Sequence, residues 1–341
     1  MFMLNDTSKV YIACPANYAS GGPELLHQLG YILKLNNIDV SMLYIDAYVD
    51  KLPVADNYRS YNIPYITTKC IDSYDNIVIF PETMTQYLYD YHNIQKVIWW
   101  LSVDAFWVNS FIFFNRNLYL RHPIIKAVAS IFAGVAYWNK LRRIKKDKKI
   151  QHFAQSHYAY EFLQKQNINN ISYLSDYLRD EFIAKSNKLR HQKKENIVLF
   201  NPQKGIKFTN ALIKRMPEVR FVPLNGLSVN QMIELLSTAK VYIDFGHHPG
   251  KDRIPREAAV MGAVVITNKQ GSAKYYKDVA IDDRYKIGGD IDSLSEVQEL
   301  ILDVFLNYEQ HKLNFQTYID IILNEKNKFI SDVSLLFNLN Q

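Results

Sequence analysis

Residues 241–267 read VYIDFGHHPGKDRIPREAAVMGAVVIT. Val241–Asp244 is an apolar run of strand length, residues 246–252 are mostly polar and hold Gly246 and Gly250, and Ala263–Thr267 is a second apolar run. Between them Pro255–Met261 has the composition of a short helix. Pro255 suits a first turn, where a missing N–H costs nothing, and Gly262 suits the helix end. The order strand, loop, helix, strand predicts one unit of a parallel sheet. A helix that starts in such a loop points free N–H groups and the positive end of its dipole outward, and both attract an anion. Lys251, Arg253 and Arg256 add positive charge within the same few residues. Glu257 stands one turn in, where a carboxylate accepts hydrogen bonds from two neighbouring hydroxyls. Cations for a diphosphate beside a carboxylate for a ribose diol are what a nucleotide-sugar needs. A solvated salt-bridge cluster is the plainer reading of Lys251, Arg253 and Glu257. The position after a strand, the two glycines and the small Ala258-Ala259 pair favour a binding site.

The same alternation runs along the whole chain. Val10–Cys14, Val40–Ile45, Ile77–Phe80 and Val97–Leu101 read as buried strands, with His152–Ala154 and Ile171–Leu174 as weaker ones. Lys185–Glu195 is polar, basic and without apolar periodicity, and is expected to be a linker. The alternation then restarts with Ile197–Phe200, Phe221–Val222 and the 241–267 unit, and ends in helices at Ser293–Leu306 and Phe315–Phe337. The expected class is α/β, with two Rossmann-like domains of parallel strands covered by helices. The expected boundaries are 1–190, 191–314 and a C-terminal helix, 315–341, packing back on the N-terminal domain. At 341 residues, 48% of them apolar, the chain has material for two cores.

Ligands of open parallel sheets lie beyond the carboxyl ends of the strands, so the residues after each strand are the candidates. Gly21 and Gly22, with Glu24 behind them, follow the first strand and permit close approach of a substrate. Glu82 and Asp104 follow two later strands, where a carboxylate serves as a base or as a helix cap. His27 inside the first helix is expected to be structural. Trp99, Trp100 and Trp107 offer stacking surfaces, with core packing the better account of the first two. In the second half, Lys204-Gly205 follows Ile197–Phe200, and Gly271-Ser272-Ala273 makes a turn after the last strand. Asp290-Ile291-Asp292 precedes a helix and reads as a cap rather than a metal motif. The adjacent His247-His248 pair shows no third metal ligand.

Cys14 and Cys70 have no metal or redox spacing, which fits a reducing cytoplasm. The first ten residues show no secretory pattern. Residues 111–150 stand out as an insertion. Ile124–Trp138 is nearly all apolar, and Lys140, Arg142, Arg143, Lys145, Lys146, Lys148 and Lys149 follow it. The apolar run is shorter than the ~20 residues that span a bilayer. An interfacial helix over 124–149 on an anionic membrane is one reading, and a buried helix followed by a solvated turn is the other. No nucleic-acid module is recognisable.

The 241–273 segment resembles the donor-binding segment of GT-B glycosyltransferases, and among them the family-4-like group. The resemblance implies that Glu257 holds the donor ribose. It also implies that Lys204, Gly205, Gly250, Lys251, Arg253, Arg256 and Ser272 surround the donor diphosphate. Gly21, Gly22, Glu24 and Glu82 would face the acceptor, with Asp104 as a candidate base beside Lys251 and Arg253 as catalytic groups. Many members have a Glu eight residues earlier; this chain has Pro249 there and resembles a variant group among bacterial surface-polysaccharide enzymes. Two domains facing a cleft, a nucleotide-diphosphate sugar as co-substrate, no metal requirement, and a glycan or lipid-linked acceptor follow from the resemblance. A nucleotide-sugar epimerase of the same fold, a silent nucleotide- or glycan-binding subunit and a nucleic-acid binder are the rival readings.

Overall fold

The computed structural model describes residues 2, 4–47, 51–108, 135 and 137–339. The chain divides into unit 1, Met1–Asp176 with Phe329–Gln341, and unit 2, Tyr177–Lys328. In unit 1 the strands are β1 (Lys9–Pro15), β2 (Asp39–Ile45), β3 (Tyr65–Ile66), β4 (Ile77–Pro81), β5 (Gln95–Trp100), β6 (Gln151–Ala154) and β7 (Ile171–Tyr173). They form one sheet in the order β3-β2-β1-β4-β5-β6-β7, and all pairings are parallel. Helix α1 (Gly21–Leu35) follows β1, α2 (Val103–Val108) follows β5, α3 covers 137–146, and α4 (His157–Lys165) links β6 to β7. The central strands are apolar without alternation because helices cover both faces. Ile77, Val78, Ile79 and Phe80 are all fully buried, as are Trp99 and Trp100.

Unit 2 opens with α5 (Asp180–Leu189) and then alternates: β8 (Glu195–Phe200), α6 (Ile206–Arg215), β9 (Arg220–Pro223), α7 (Val229–Thr238), β10 (Ala239–Asp244), α8 (Arg253–Val260) and β11 (Val264–Thr267). Its sheet is parallel in the order β11-β10-β8-β9. Helices α9 (Leu294–Leu306), α10 (Tyr308–Leu313), α11 (Gln316–Leu323) and α12 (Glu325–Leu336) complete the chain. The sequence-based strands are all present. The two-residue edge strand β3 is the addition, too short for any periodicity to announce.

The expected linker is corrected. Lys185–Glu195 holds the second half of α5 and the first residue of β8, and the division between units falls at Asp176–Tyr177. Phe182 and Ser186 form the buried face of α5, and its strongest apolar residues lie just before the stretch that reads as polar. Lys194, in that stretch, is buried and donates to the carbonyls of Leu236 and Met261, closing the ends of α7 and α8. Gly262 follows with φ +90, as expected of a helix end. Unit 2 extends to Lys328, beyond the expected limit at 314. From Phe329 onward the C-terminal helix packs in unit 1, with Phe329 stacked on Trp99 at 6.4 Å and Phe337 on Phe2 at 5.3 Å.

Most of the apolar-basic insertion, including the Trp107 side chain and residues 109–134, lies outside the described residues. The described part, α3, buries Tyr137, Leu141 and Ile144 on one face and exposes Trp138, Arg142, Arg143 and Lys146 on the other. Its apolar stripe is used in the core of unit 1.

His152 in β6 is 3% exposed, and its Nδ1 accepts a hydrogen bond of 3.0 Å from Trp100 Nε1. The ring is therefore held neutral, and burial pushes its pKa down to about 4. An imidazole in the unfolded chain titrates near 6.5. The stabilisation from the neutral ring is complete above that pH and is lost as pH falls through 4. Between pH 6.5 and 4 the wild-type chain is expected to lose roughly 3 kcal/mol more than His152→Gln, measured by urea unfolding. Parallel pH profiles for the two proteins would contradict this.

Candidate functional site

Three loops of unit 2 meet at the carboxyl ends of β8, β10 and β11. They touch backbone to backbone, and glycine makes that possible. Gly205 has φ +65, and a Cβ there would lie 2.5 Å from the Phe245 carbonyl carbon. Gly271 has φ +59, and a Cβ there would lie 1.9 Å from the His248 carbonyl oxygen. No other residue type fits either position without moving a neighbouring loop. Polar bonds complete the junction. Ser272 N donates to His248 O at 2.9 Å, Ser272 Oγ to Gly250 O at 2.6 Å, and Asn268 Nδ2 to Gly246 O at 2.9 Å.

At the centre lies Lys204. Its ammonium bonds the Asp252 carboxylate and lies 3.4 Å from Asp244, which is 2% exposed. Asp244 also accepts from Tyr242 OH at 3.0 Å and from Gly246 N at 3.1 Å. His248 is fully buried, with Nδ1 2.7 Å from Asp252 and Nε2 3.7 Å from Asp244. Burial opposes the charge on Lys204, but Asp252 and Asp244 outweigh it and raise its pKa. Burial likewise opposes the Asp252 carboxylate, but the hydrogen bond from His248 and the charge of Lys204 hold it below the usual range. Among the described residues, ligand atoms of Asp244, His248 and Asp252 lie within 4.8 Å of one another, a mixed nitrogen and carboxylate set of a kind that can hold a metal ion. The reading that His248 has no further ligands nearby is thereby corrected. The partners stand four residues to either side, and only the folded loop brings them together. Lys204 supplies positive charge between the same two carboxylates.

The four expected phosphate cations are not equivalent. Arg256 is fully buried; its Nη1 bonds Glu325 at 2.7 Å, and its other nitrogens donate to Asp252 O and Lys251 O. It braces the loop from inside, which corrects its expected contact with the diphosphate. Lys251 pairs with the same Glu325 at 2.5 Å. Glu325 begins α12, far along the sequence, and no local signal announces it. Arg253 lies 3.4 Å from Glu257 on the next turn of α8. Asp252 occupies the N-cap position of α8, yet its side chain makes no capping bond to the helix. It is turned toward Lys204 and His248, so the first-turn N–H groups of α8 are not capped by this carboxylate.

In unit 1 the carboxyl ends of the strands gather the other expected residues. Gly21 and Gly22 open α1, and a Cβ on Gly21 would meet nothing within 4 Å. Glu24 is 1% exposed and accepts from Tyr61 OH at 2.6 Å, so it ties α1 to the segment after β2. Its expected contact with an acceptor is corrected accordingly. Glu82 is buried, and its Oε2 accepts from Leu101 N at 2.8 Å. Burial pushes its carboxyl up to about 7, against the opposing pull of the Leu101, Glu82 and Ser102 amides and of Lys140. Asp104 lies in α2, with Tyr158 OH 3.5 Å from its Oδ1. His27 bonds Pro23 O and Tyr44 OH inside the core, and Asp290 accepts from Ser293 N at 3.0 Å, both in the structural roles expected of them.

Removing Lys204 leaves two carboxylates, one fully buried, without their counter-charge. Lys204→Met is expected to cost about 3–5 kcal/mol in urea unfolding. The double variant Lys204→Met/Asp252→Asn should recover part of that loss, because one of the stranded charges goes with it. Equal stability of wild type and Lys204→Met would refute the central role of the lysine.

No family model and no curated protein matches the chain. Solved structures do. Sucrose-phosphate synthase from Thermosynechococcus elongatus is 10% identical, covers 97% of each chain and superposes with a TM-score of 0.58. HepE from Anabaena, in complex with UDP-glucose, is 10% identical over 97% of this chain and 99% of its own, with a TM-score of 0.53. A mutant S. aureus TarM in complex with fondaparinux, alpha-GlcNAc-glycerol and UDP is 17% identical over 79% of this chain, with a TM-score of 0.52. This chain spans 56% of that TarM chain. The likeness is one of architecture, and by it the chain has the GT-B fold of two parallel α/β units.

Proposed function

We propose that the chain is a glycosyltransferase that moves a sugar from a nucleotide-diphosphate sugar to a hydroxyl of a glycan or lipid-linked acceptor. The observation that carries the reading is the start of α8. Its N-terminus opens at the carboxyl end of β10, its N-cap carboxylate is turned away to Lys204, and Arg253 and Glu257 follow on the first turns. In this reading the diphosphate meets the α8 amides and Arg253, and Glu257 takes the ribose hydroxyls. Lys251 and the Gly250–Ser272 contact line the same loop. Lys204 and Gly205 act by holding the loop in shape rather than by touching the phosphate, since the ammonium is already matched by two carboxylates. Charge building on the departing diphosphate is stabilised by groups fixed beforehand, which need not reorganise during the reaction. The positive charge comes from side chains and helix N–H groups, so the proposal has no metal in it.

The acceptor is assigned to the Gly21-Gly22 end of α1 and to Glu82 and Asp104 of unit 1. Glu82, raised to about 7, sits where a group exchanges a proton near neutral pH; Asp104 is the more open carboxylate. A role in bacterial surface-polysaccharide synthesis fits such an acceptor. HepE was solved in complex with UDP-glucose, and a uridine donor is the first to try here.

Two measurements test the proposal. In a thermal-shift panel of UDP, GDP, ADP and their sugars, at least one nucleotide is expected to raise Tm by several degrees. Glu257→Ala should then weaken that ligand about tenfold or more, the loss of one or two hydrogen bonds to a charged group. A panel with no stabilising member would sink the donor site.

We also propose a peripheral contact with anionic membrane from the cytoplasmic side, through the Trp138, Arg142 and Lys146 face of α3. An exposed indole beside cations suits the lipid–water boundary. Among the described residues no helix is long and apolar enough to cross a membrane. Full-length protein is expected to float with vesicles containing phosphatidylserine at low salt and to stay behind with neutral vesicles. Arg142→Glu/Lys146→Glu should abolish flotation, and unchanged flotation would discount this face.

A further inference from the structure

The far edge of the unit 1 sheet has a feature that the donor and acceptor assignments leave unused. Tyr173 is the last residue of the edge strand β7, and His157 and Tyr160 lie on the first turn of α4. The Tyr160 and Tyr173 rings stack at 4.6 Å and 9°. The His157 ring lies within 17° of both planes. His157 Nδ1 and Tyr173 OH are 2.6 Å apart, His157 Nε2 is 3.6 Å from Glu161, and Gln164 Nε2 donates to Tyr160 OH at 3.0 Å. Polar atoms therefore surround the rings. Tyr173 nevertheless stays 39% exposed.

Flat, parallel, half-open rings with hydrogen-bonding groups at the rim match the two sides of a pyranose. Its C–H face lies on an aromatic face, and its hydroxyls reach the rim. Aromatic packing that merely closed a sheet edge would hide the outer ring and leave its hydroxyl in water. Here the hydroxyl is engaged and the ring is open.

Position adds a second argument. The rings stand at the carboxyl end of β6 and β7, the same end of the sheet as Asp104 and Glu82. Tyr158 of the same helix reaches Asp104. Two strand spacings, on the order of 10 Å, separate the line of β5 from that of β7, and a short oligosaccharide spans that distance.

We propose that Tyr173, Tyr160 and His157, rimmed by Glu161 and Gln164, form a saccharide subsite that holds an oligosaccharide acceptor some sugar units back from its reacting hydroxyl. This rests on the glycosyltransferase reading and sharpens it: the acceptor is a growing chain rather than a single sugar or a bare lipid.

The test uses the full chain on a printed array of tri- to hexasaccharides with neutral, N-acetylated and uronic residues, followed by titration of the best binder. Wild type is expected to bind at least one of them. Tyr173→Ala should weaken it about tenfold, the loss of one stacked ring, while Tyr173→Phe keeps most of the stacking. Glu161→Gln, which leaves the rings in place, should weaken the same glycan to a smaller degree. Each variant is paired with a nucleotide titration, expected to match wild type, which also checks folding. Absence of any array binding, or equal affinity of wild type and Tyr173→Ala, overturns the subsite. If nucleotides still bind, the donor reading survives that failure; if nucleotides do not bind while the glycan does, the reverse holds.

Discussion

The ammonium of Lys204 between Asp244 and Asp252 is the interaction on which the second unit's site depends. Asp244 ends β10, Asp252 precedes α8, and Lys204 ends the loop after β8. One cation thus links two loops through the strand and helix ends beside it. The cost of taking these charges out of water is met only because each has several partners: Tyr242, Gly246 N and Lys204 around Asp244, and His248 and Lys204 around Asp252. With that centre in place, the Gly205 and Gly271 backbones come into contact with the loop from β10, and larger residues are excluded.

The arrangement has a consequence at α8. A carboxylate at an N-cap ordinarily satisfies the first N–H groups of its own helix. Asp252 is held elsewhere, and so its carboxylate does not cap the first N–H groups of α8. Glu325 does related work behind the loop. By pairing with Arg256 and Lys251 it directs those charges into the scaffold, which leaves Arg253 and Glu257 as the charged pair on the first turns of the helix. Three cations close in sequence are thus divided in space, Lys251 and Arg256 toward Glu325 and Arg253 toward Glu257.

Unit 1 distributes its chemistry differently. Parallel order brings the ends of β1, β4, β5, β6 and β7 to one side of one sheet. The glycine turn, two carboxylates in unlike surroundings and a stack of aromatic rings therefore line a single edge. Glu82 is buried and gripped by amides, and burial raises its carboxyl, while Asp104 is half-buried and touched by a tyrosine hydroxyl.

Much of this was legible in the chain. Apolar runs of strand length separated by helical stretches are what a sheet covered on both faces requires, and hydrophobic burial acts on each segment locally. Pro255, Gly262 and the Asp290 cap could likewise be read from their neighbours, since helix ends are settled within a turn. The helix α5 is hidden in the sequence because its second half, Lys185–Leu189, is polar and basic. The pairings of Lys204 with Asp244 and Asp252, of Glu325 with Arg256 and Lys251, and of His157 with Tyr173 join residues 16 to 74 positions apart in sequence, a separation that no local pattern encodes. Composition and periodicity therefore determined the class of fold and the loop that holds the site. Which cation pairs with Glu325 and which stands beside Glu257 was left to the tertiary structure, because a charge buried beside a partner and the same charge at a surface are identical until the chain closes around them.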